Sequence, residues 1–186
     1  MSFVEVLRRV AARMEQSEVP YMVTGSIAAS YYGLVRATQD LDIVISAGAD
    51  GVKRLMNLFP EEEYYAPLQD ALDALRHNSM FNVLDMTSSW KIDFIFSKPA
   101  PFHREAFERR RAVTFEGVPT FMISPEDLIV AKLEWARMSE SERQIRDVGT
   151  VAQKRSHELD KAYVEKWVAQ LGLGDQWGAA RKAAGI

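Results

Sequence analysis

The residues best suited to chemistry lie in two stretches, Tyr21 to Ile45 (YMVTGSIAASYYGLVRATQDLDIVI) and Trp90 to Phe96 (WKIDFIF). Asp40 and Asp42 flank Leu41 at the start of an apolar run. Side chains of an extended chain alternate between faces. The two carboxylates therefore share a face with Val44, while Leu41, Ile43 and Ile45 point into a core. Their Cα atoms would stand ~6.5 Å apart, and two like charges that close repel unless a cation lies between them. A pair of Mg²⁺ ions about 3.5–4 Å apart, as in phosphoryl-transfer sites, would suit the gap. Aspartate is also common where a strand begins, so the pair taken alone is more often a strand-opening turn than a metal site. The second stretch adds Asp93. There Ile92, Phe94 and Phe96 take the core face and Lys91, Asp93 and Ile95 the other, and an aspartate in so apolar a run is costly unless it is paired or binds a metal.

Upstream, Thr24-Gly25-Ser26 interrupts an apolar run where a strand should pass into a helix. Gly25 gives the backbone freedom and lets a ligand approach closely. Ser26 would open a helix over Ile27–Tyr32, as a simple N-cap, as part of a phosphate cradle, or both. Arg36 either meets a phosphate or sits in a solvated loop.

Gly25-Ser26, a thirteen-residue gap (Ile27 to Gln39), Asp40-Leu41-Asp42 and a later strand with a single Asp93 together resemble the nucleotidyltransferase superfamily of the polymerase-beta type. The run Arg36-x-Thr38-x-Asp40-Leu41-Asp42-Ile43 is similar to that of stand-alone bacterial members such as the aminoglycoside nucleotidyltransferases and the AbiEii-like toxins. The resemblance spans Tyr21 to Phe96 and continues more loosely through Ser124-Pro125-Glu126-Asp127-Leu128 to Lys132. It implies an α/β (α+β) fold, a short mixed sheet flanked by helices with a helical C-terminal part. It also implies transfer of an NMP group from an NTP to an acceptor hydroxyl, with release of pyrophosphate. Asp40, Asp42 and Asp93 would be catalytic and would ligate Mg²⁺ or Mn²⁺; Gly25, Ser26, Arg36, Thr38 and Lys132 would bind the nucleotide. The acceptor is left open among a small molecule, a tRNA and a protein. A toxin–antitoxin component acting through a cognate protein partner, or a nucleotide-binding regulator, are the rival readings.

The chain has 186 residues, 47% hydrophobic and 26% charged, with a net charge of -3. That is ordinary for a globular protein with a proper core, and the charge argues against a large nucleic-acid footprint. The absence of cysteine excludes disulfides and cysteine-based zinc sites, and fits a reducing, cytoplasmic setting. Glu5, Arg8, Arg9 and Arg13 break any apolar leader. Val19–Val35 is uncharged but too short, and too interrupted by Pro20, Gly25 and Gly33, to cross a membrane.

The positioning elements follow. Phe3–Gln16 predicts an amphipathic helix and Tyr21–Val23 the first core strand. Val52–Phe59 and Asp70–Arg76 read as helices, and Glu61-Glu62-Glu63 as a solvated turn. Met80–Met86 and Trp90–Phe96 read as a strand pair. His103–Arg111 reads as a charged helix suited to a polyanion, and Val113–Phe115 with Thr120–Ile123 as a hairpin around Glu116-Gly117. Residues 1–123 would form the core and residues 124–186 a helical C-terminal region. Ser124-Pro125-Glu126-Asp127 is a helix start, with a cap, a proline and acids in the first turn. The helix that follows would bury Leu128, Ile129, Trp135 and Ala136. Lys132 shares that stripe, so it needs an anion, either a triad aspartate or a triphosphate, and Lys132→Met would keep or raise stability. Arg143 and Asp147, four apart on the next helix, would pair.

Overall fold

The structure, a computed structural model, describes residues 2–35 and 37–186. The sequence periodicities become alternating helices and strands. These are α1 (Phe3–Ser17), β1 (Tyr21–Val23), α2 (Gly25–Tyr31), β2 (Asp40–Ile45), α3 (Ala49–Met56), β3 (Tyr64–Tyr65), α4 (Leu68–Arg76), β4 (Met80–Asp85), β5 (Trp90–Phe96), α5 (Pro101–Glu108), β6 (Arg111–Phe115) and β7 (Val118–Met122). Four further helices follow: α6 (Pro125–Ser139), α7 (Glu142–Lys154), α8 (Lys161–Leu171) and α9 (Gly174–Ala184). The fold class is the expected one, a mixed α/β arrangement.

The chain divides into two compact units. One comprises Met1–Ile27 with Ala37–Met122, the other Ala28–Arg36 with Ile123–Ile186. The second is thus discontinuous in sequence.

The first unit holds a mixed sheet in the order β3-β4-β5-β2-β1-β7-β6. Its centre is the parallel pair β2 and β5, in register from Asp40 opposite Lys91 to Ile45 opposite Phe96. One face of that pair carries Leu41, Ile43, Ile45, Ile92, Phe94 and Phe96, all buried. A run that alternates so strictly can settle in only one register, because a slip of one residue would expose the whole apolar set. Helix α1 brings Val6, Leu7, Val10 and Met14 into this core, and Phe3 lies against Trp90 and Phe115. Its start is a reciprocal cap in which Ser2 and Glu5 satisfy each other's backbone N–H.

Three expectations are corrected in this unit. Glu63 does not lie free in a solvated turn but pairs with Arg9, whose guanidinium also reaches buried Asp85 at 3.4 Å. The charged helix ends at Glu108, because Arg111 already pairs with Met122 as the first residue of a strand. Ser26 does not cap α2; it lies inside the first turn of a helix that begins at Gly25.

In the second unit, Ser124 does cap α6, accepting from Asp127 N–H at 3.1 Å. The acids of that first turn are buried rather than solvated. Asp127 accepts from the Tyr163 hydroxyl at 2.7 Å and Glu126 from Asp160 N–H at 3.2 Å. Leu128, Ile129, Leu133 and Ala136 form the buried stripe, whereas Trp135, expected in it, is exposed. A Cβ on Gly149 would stand 2.7 Å from the Ala180 carbonyl oxygen, so that glycine is what permits the close approach of α7 and α9. No helix among the described residues is long and apolar enough to cross a membrane.

Candidate functional site

The face of β2 and β5 opposite the core carries the carboxylates. Asp42 and Asp93 are direct register partners on neighbouring parallel strands, and Asp40 stands two pairs further along, opposite Lys91. The alternation read from sequence thus brings all three onto one face. Asp40 is exposed, Asp42 half-buried and Asp93 only 4% exposed.

A buried carboxylate needs partners. Asn82, opposite Asp93 on β4, donates its amide N–H to Asp93 Oδ1. Lys91 places its ammonium 2.9 Å from Asp93 Oδ2 and 3.5 Å from Asp40 Oδ1. The hydrogen bond to Asp93, reinforced by the charges of both carboxylates, raises the Lys91 pKa above the ordinary lysine value. Neither Asn82 nor the ammonium of Lys91 figured in the sequence reading. The signal was there: Asn82 is the one polar residue inside Met80–Leu84, and Lys91 shares the parity of Asp93.

The glycine turn closes the other side of Asp42. Thr24 N–H donates to the Asp42 carbonyl at 2.9 Å. Gly25 has φ +63°, and a Cβ there would lie 1.9 Å from Asp42 Oδ2, so only glycine fits in both conformation and space. Ser26 follows, half-buried. Thr38 is engaged with the backbone leading into β2, its hydroxyl accepting from Asp40 N–H at 3.1 Å. Arg36 lies outside the described residues.

Lys132 belongs to the second unit. Its ammonium donates to Asp147 Oδ2 at 2.9 Å and to Gln144 Oε1 at 2.8 Å, with both charged side chains buried. The anion it needed is therefore supplied from α7, and Asp147 pairs with Lys132 rather than with exposed Arg143. The pair now argues for the opposite expectation, that Lys132→Met lowers stability, because the change would take a cation away from buried Asp147.

The donor chemistry of the first unit's site suits a hard divalent cation. It offers carboxylate oxygens on adjacent strands, and a lysine ammonium already stands in for positive charge between two of them. Among the described residues no group of three or more acidic or histidine side chains closes around one point. Asp42 and Asp93 are the two carboxylates set side by side by the register of β2 and β5, and Asp40 lies nearer Lys91.

Known proteins agree with this architecture. A family model described as a nucleotidyl transferase of unknown function matches residues 102–177, a region that contains none of the three aspartates. Among solved structures, the antibiotic-resistance factor ANT(2'')-Ia is similar over 96% of this chain and 95% of its own, at 13% identity and TM-score 0.56. The same protein in complex with adenylyl-2''-tobramycin is similar over 90% of this chain and 98% of its own, at 12% identity and TM-score 0.55. An antigenic nucleotidyltransferase-like protein from Paracoccidioides brasiliensis is similar over 95% of this chain and 91% of its own, at 14% identity and TM-score 0.54. No curated protein sequence matches. The chain has the nucleotidyltransferase fold, and the family match agrees with that class.

Proposed function

We propose that the protein transfers an NMP group from an NTP to an acceptor hydroxyl, releasing pyrophosphate. The observation that carries this reading is the in-register pair Asp42 and Asp93 with the Gly25 turn pressed against the Asp42 carboxylate. Phosphoryl transfer needs little covalent help from the protein; it needs positioning and charge neutralisation. Gly25 and Ser26 serve the triphosphate end, where a bare backbone can approach closely. Asp40, Asp42 and Asp93 are the residues that would hold Mg²⁺ or Mn²⁺. When bound, the ion supplies positive charge against the phosphate oxygens. Asp93, held by Asn82 and Lys91, would accept the proton of the acceptor hydroxyl. The relative bound to adenylyl-2''-tobramycin offers a precedent for nucleotidyl transfer to a hydroxyl in this fold.

The test is incubation of the protein with Mg²⁺ and each α-labelled NTP in a small-molecule and RNA extract of cells. Transfer of label with stoichiometric pyrophosphate is the expected result, abolished in Asp93→Asn. Nucleotide binding with no pyrophosphate from any NTP would contradict the reading and leave a nucleotide-binding regulator.

A further inference from the structure

The open face of the sheet does not end at the carboxylates. Pairing sets Tyr65 opposite Leu84, Leu84 opposite Lys91 and Lys91 opposite Asp40, a single row across β3, β4, β5 and β2. The parallel row sets Asn82 beside Asp93 and Asp93 beside Asp42. Tyr65 is 59% exposed, Met80 43% and Leu84 42%, although all three carry apolar surface that burial would favour. Together with Asn82, Lys91 and Asp70 they line a cavity of about 430 Å³. That volume is within the ~300–1,000 Å³ of small-molecule sites. Neighbouring strands lie ~4.8 Å apart, so the row from Asp40 to Tyr65 runs ~14 Å.

Which substrate this cavity serves follows from the direction of displacement. The attacking and leaving oxygens of a phosphoryl transfer stand roughly in line on opposite sides of phosphorus. With the triphosphate held at Gly25–Ser26, on the β1 side of Asp42, pyrophosphate leaves toward β1 and the acceptor approaches from β5 and β4. We propose that the cavity of Tyr65, Met80 and Leu84 is the acceptor site, and that the acceptor is a small hydroxyl compound with a flat or apolar body and little positive charge. This rests on the nucleotidyl-transfer reading. The hydroxyl end lies toward Asp93 and Asn82, and the body lies along Leu84 and Met80 against the Tyr65 ring. A polycation such as an aminoglycoside would need several acids to pair its ammonium groups. Among the described residues that line the cavity, Asp70 is the one acid. A nucleic-acid acceptor would need a basic track along its backbone, and Lys91, the one cation among the described residues that line the cavity, is already paired with Asp40 and Asp93.

Saturation-transfer NMR of 2-naphthol and 4-biphenylmethanol with the full chain tests the assignment, with tobramycin and a short RNA bearing a free 3' hydroxyl as competitors. The aryl alcohols are expected to bind, to be weakened about tenfold or more by both Leu84→Lys and Tyr65→Ser, and to resist both competitors. Absence of aryl-alcohol binding overturns the proposal. So does binding indifferent to both substitutions, or tobramycin or RNA binding that the substitutions abolish. The melting-temperature shift of the wild-type protein with NTP and Mg²⁺, measured separately, reports on nucleotidyl transfer itself. Its absence would refute that reading without moving the aryl-alcohol result.

Discussion

Two residues set the geometry of the carboxylate face, and each makes a prediction. Gly25 has a left-handed backbone and no room for a Cβ beside Asp42. Gly25→Ala would cost ~1–2 kcal/mol from the backbone alone and would push the Asp42 carboxylate aside. Urea unfolding should show the destabilisation, and the melting-temperature shift with NTP and Mg²⁺ should vanish. Lys91 holds Asp93 and Asp40 together. In Lys91→Met, Asp93 keeps Asn82 but loses its nearest cation, so the variant should be less stable in metal-free buffer. Because Lys91 is 39% exposed, the loss is expected at ~1–2 kcal/mol rather than the value for a fully buried pair. Its pKa is raised above 10.5, so its contribution is complete below that value and fades only as pH rises past the folded pKa. The deficit of Lys91→Met should therefore be constant from about pH 6 to 9. Mg²⁺ should restore much of it, since the ion replaces the missing charge. A deficit that Mg²⁺ leaves untouched would show that the carboxylates do not share an ion.

At the scale of elements, α6 and α7 are joined by the buried pair of Lys132 and Asp147 with Gln144. Removing one partner of such a pair costs ~3–5 kcal/mol, while replacing both by apolar groups is close to neutral. Lys132→Met should thus be strongly destabilised in thermal unfolding, and Lys132→Met with Asp147→Leu should recover most of the loss. Equal stability of the single variant and the wild type would remove the pair from the account. The same helices show what sequence makes legible. The strands β2 and β5 and the shared face of Asp40, Asp42 and Asp93 follow from strict two-residue alternation, which admits one register. The cap at Ser124 follows from side-chain chemistry confined to one turn. What could not be read is pairing across long separations. Lys132 finds Asp147 on another helix, Asn82 finds Asp93 on another strand, and Arg9 finds Glu63 and Asp85, because tertiary packing and not spacing selects those partners. Spacing puts Trp135 in the apolar stripe, seven residues after Leu128 and three after Lys132, yet near the end of α6 it is exposed.

For the molecule as a whole, His103 introduces an acid sensitivity. Burial, aided by the charge of Lys98, lowers its pKa from 6.5 to about 4. Between those values the unfolded chain takes up a proton that the folded chain refuses. The contribution of this group is therefore fully present above pH 6.5 and is lost as the pH drops toward 4. Urea unfolding of the wild type and His103→Gln across pH 4 to 7 should show a shallower acid loss in the variant. Identical slopes would place His103 in a solvated setting. Within the first unit, α1 and the apolar face of the sheet form the core, which leaves the opposite face of β2, β4 and β5 to carry chemistry. That division explains why the three aspartates, Lys91 and Asn82 can be concentrated there without cost to the core.

The most direct test of the central claim is calorimetric titration of NTP, with and without Mg²⁺, into the wild type and Asp42→Asn. The substitution changes one oxygen for an amide at nearly constant shape in a half-buried position, so folding should be preserved. The account predicts Mg²⁺-dependent NTP binding in the wild type and a loss of about a hundredfold in the variant, some 2.7 kcal/mol, with unfolding unchanged. NTP binding of equal strength in both proteins would contradict it and would leave the aspartate pair as a feature of the sheet alone.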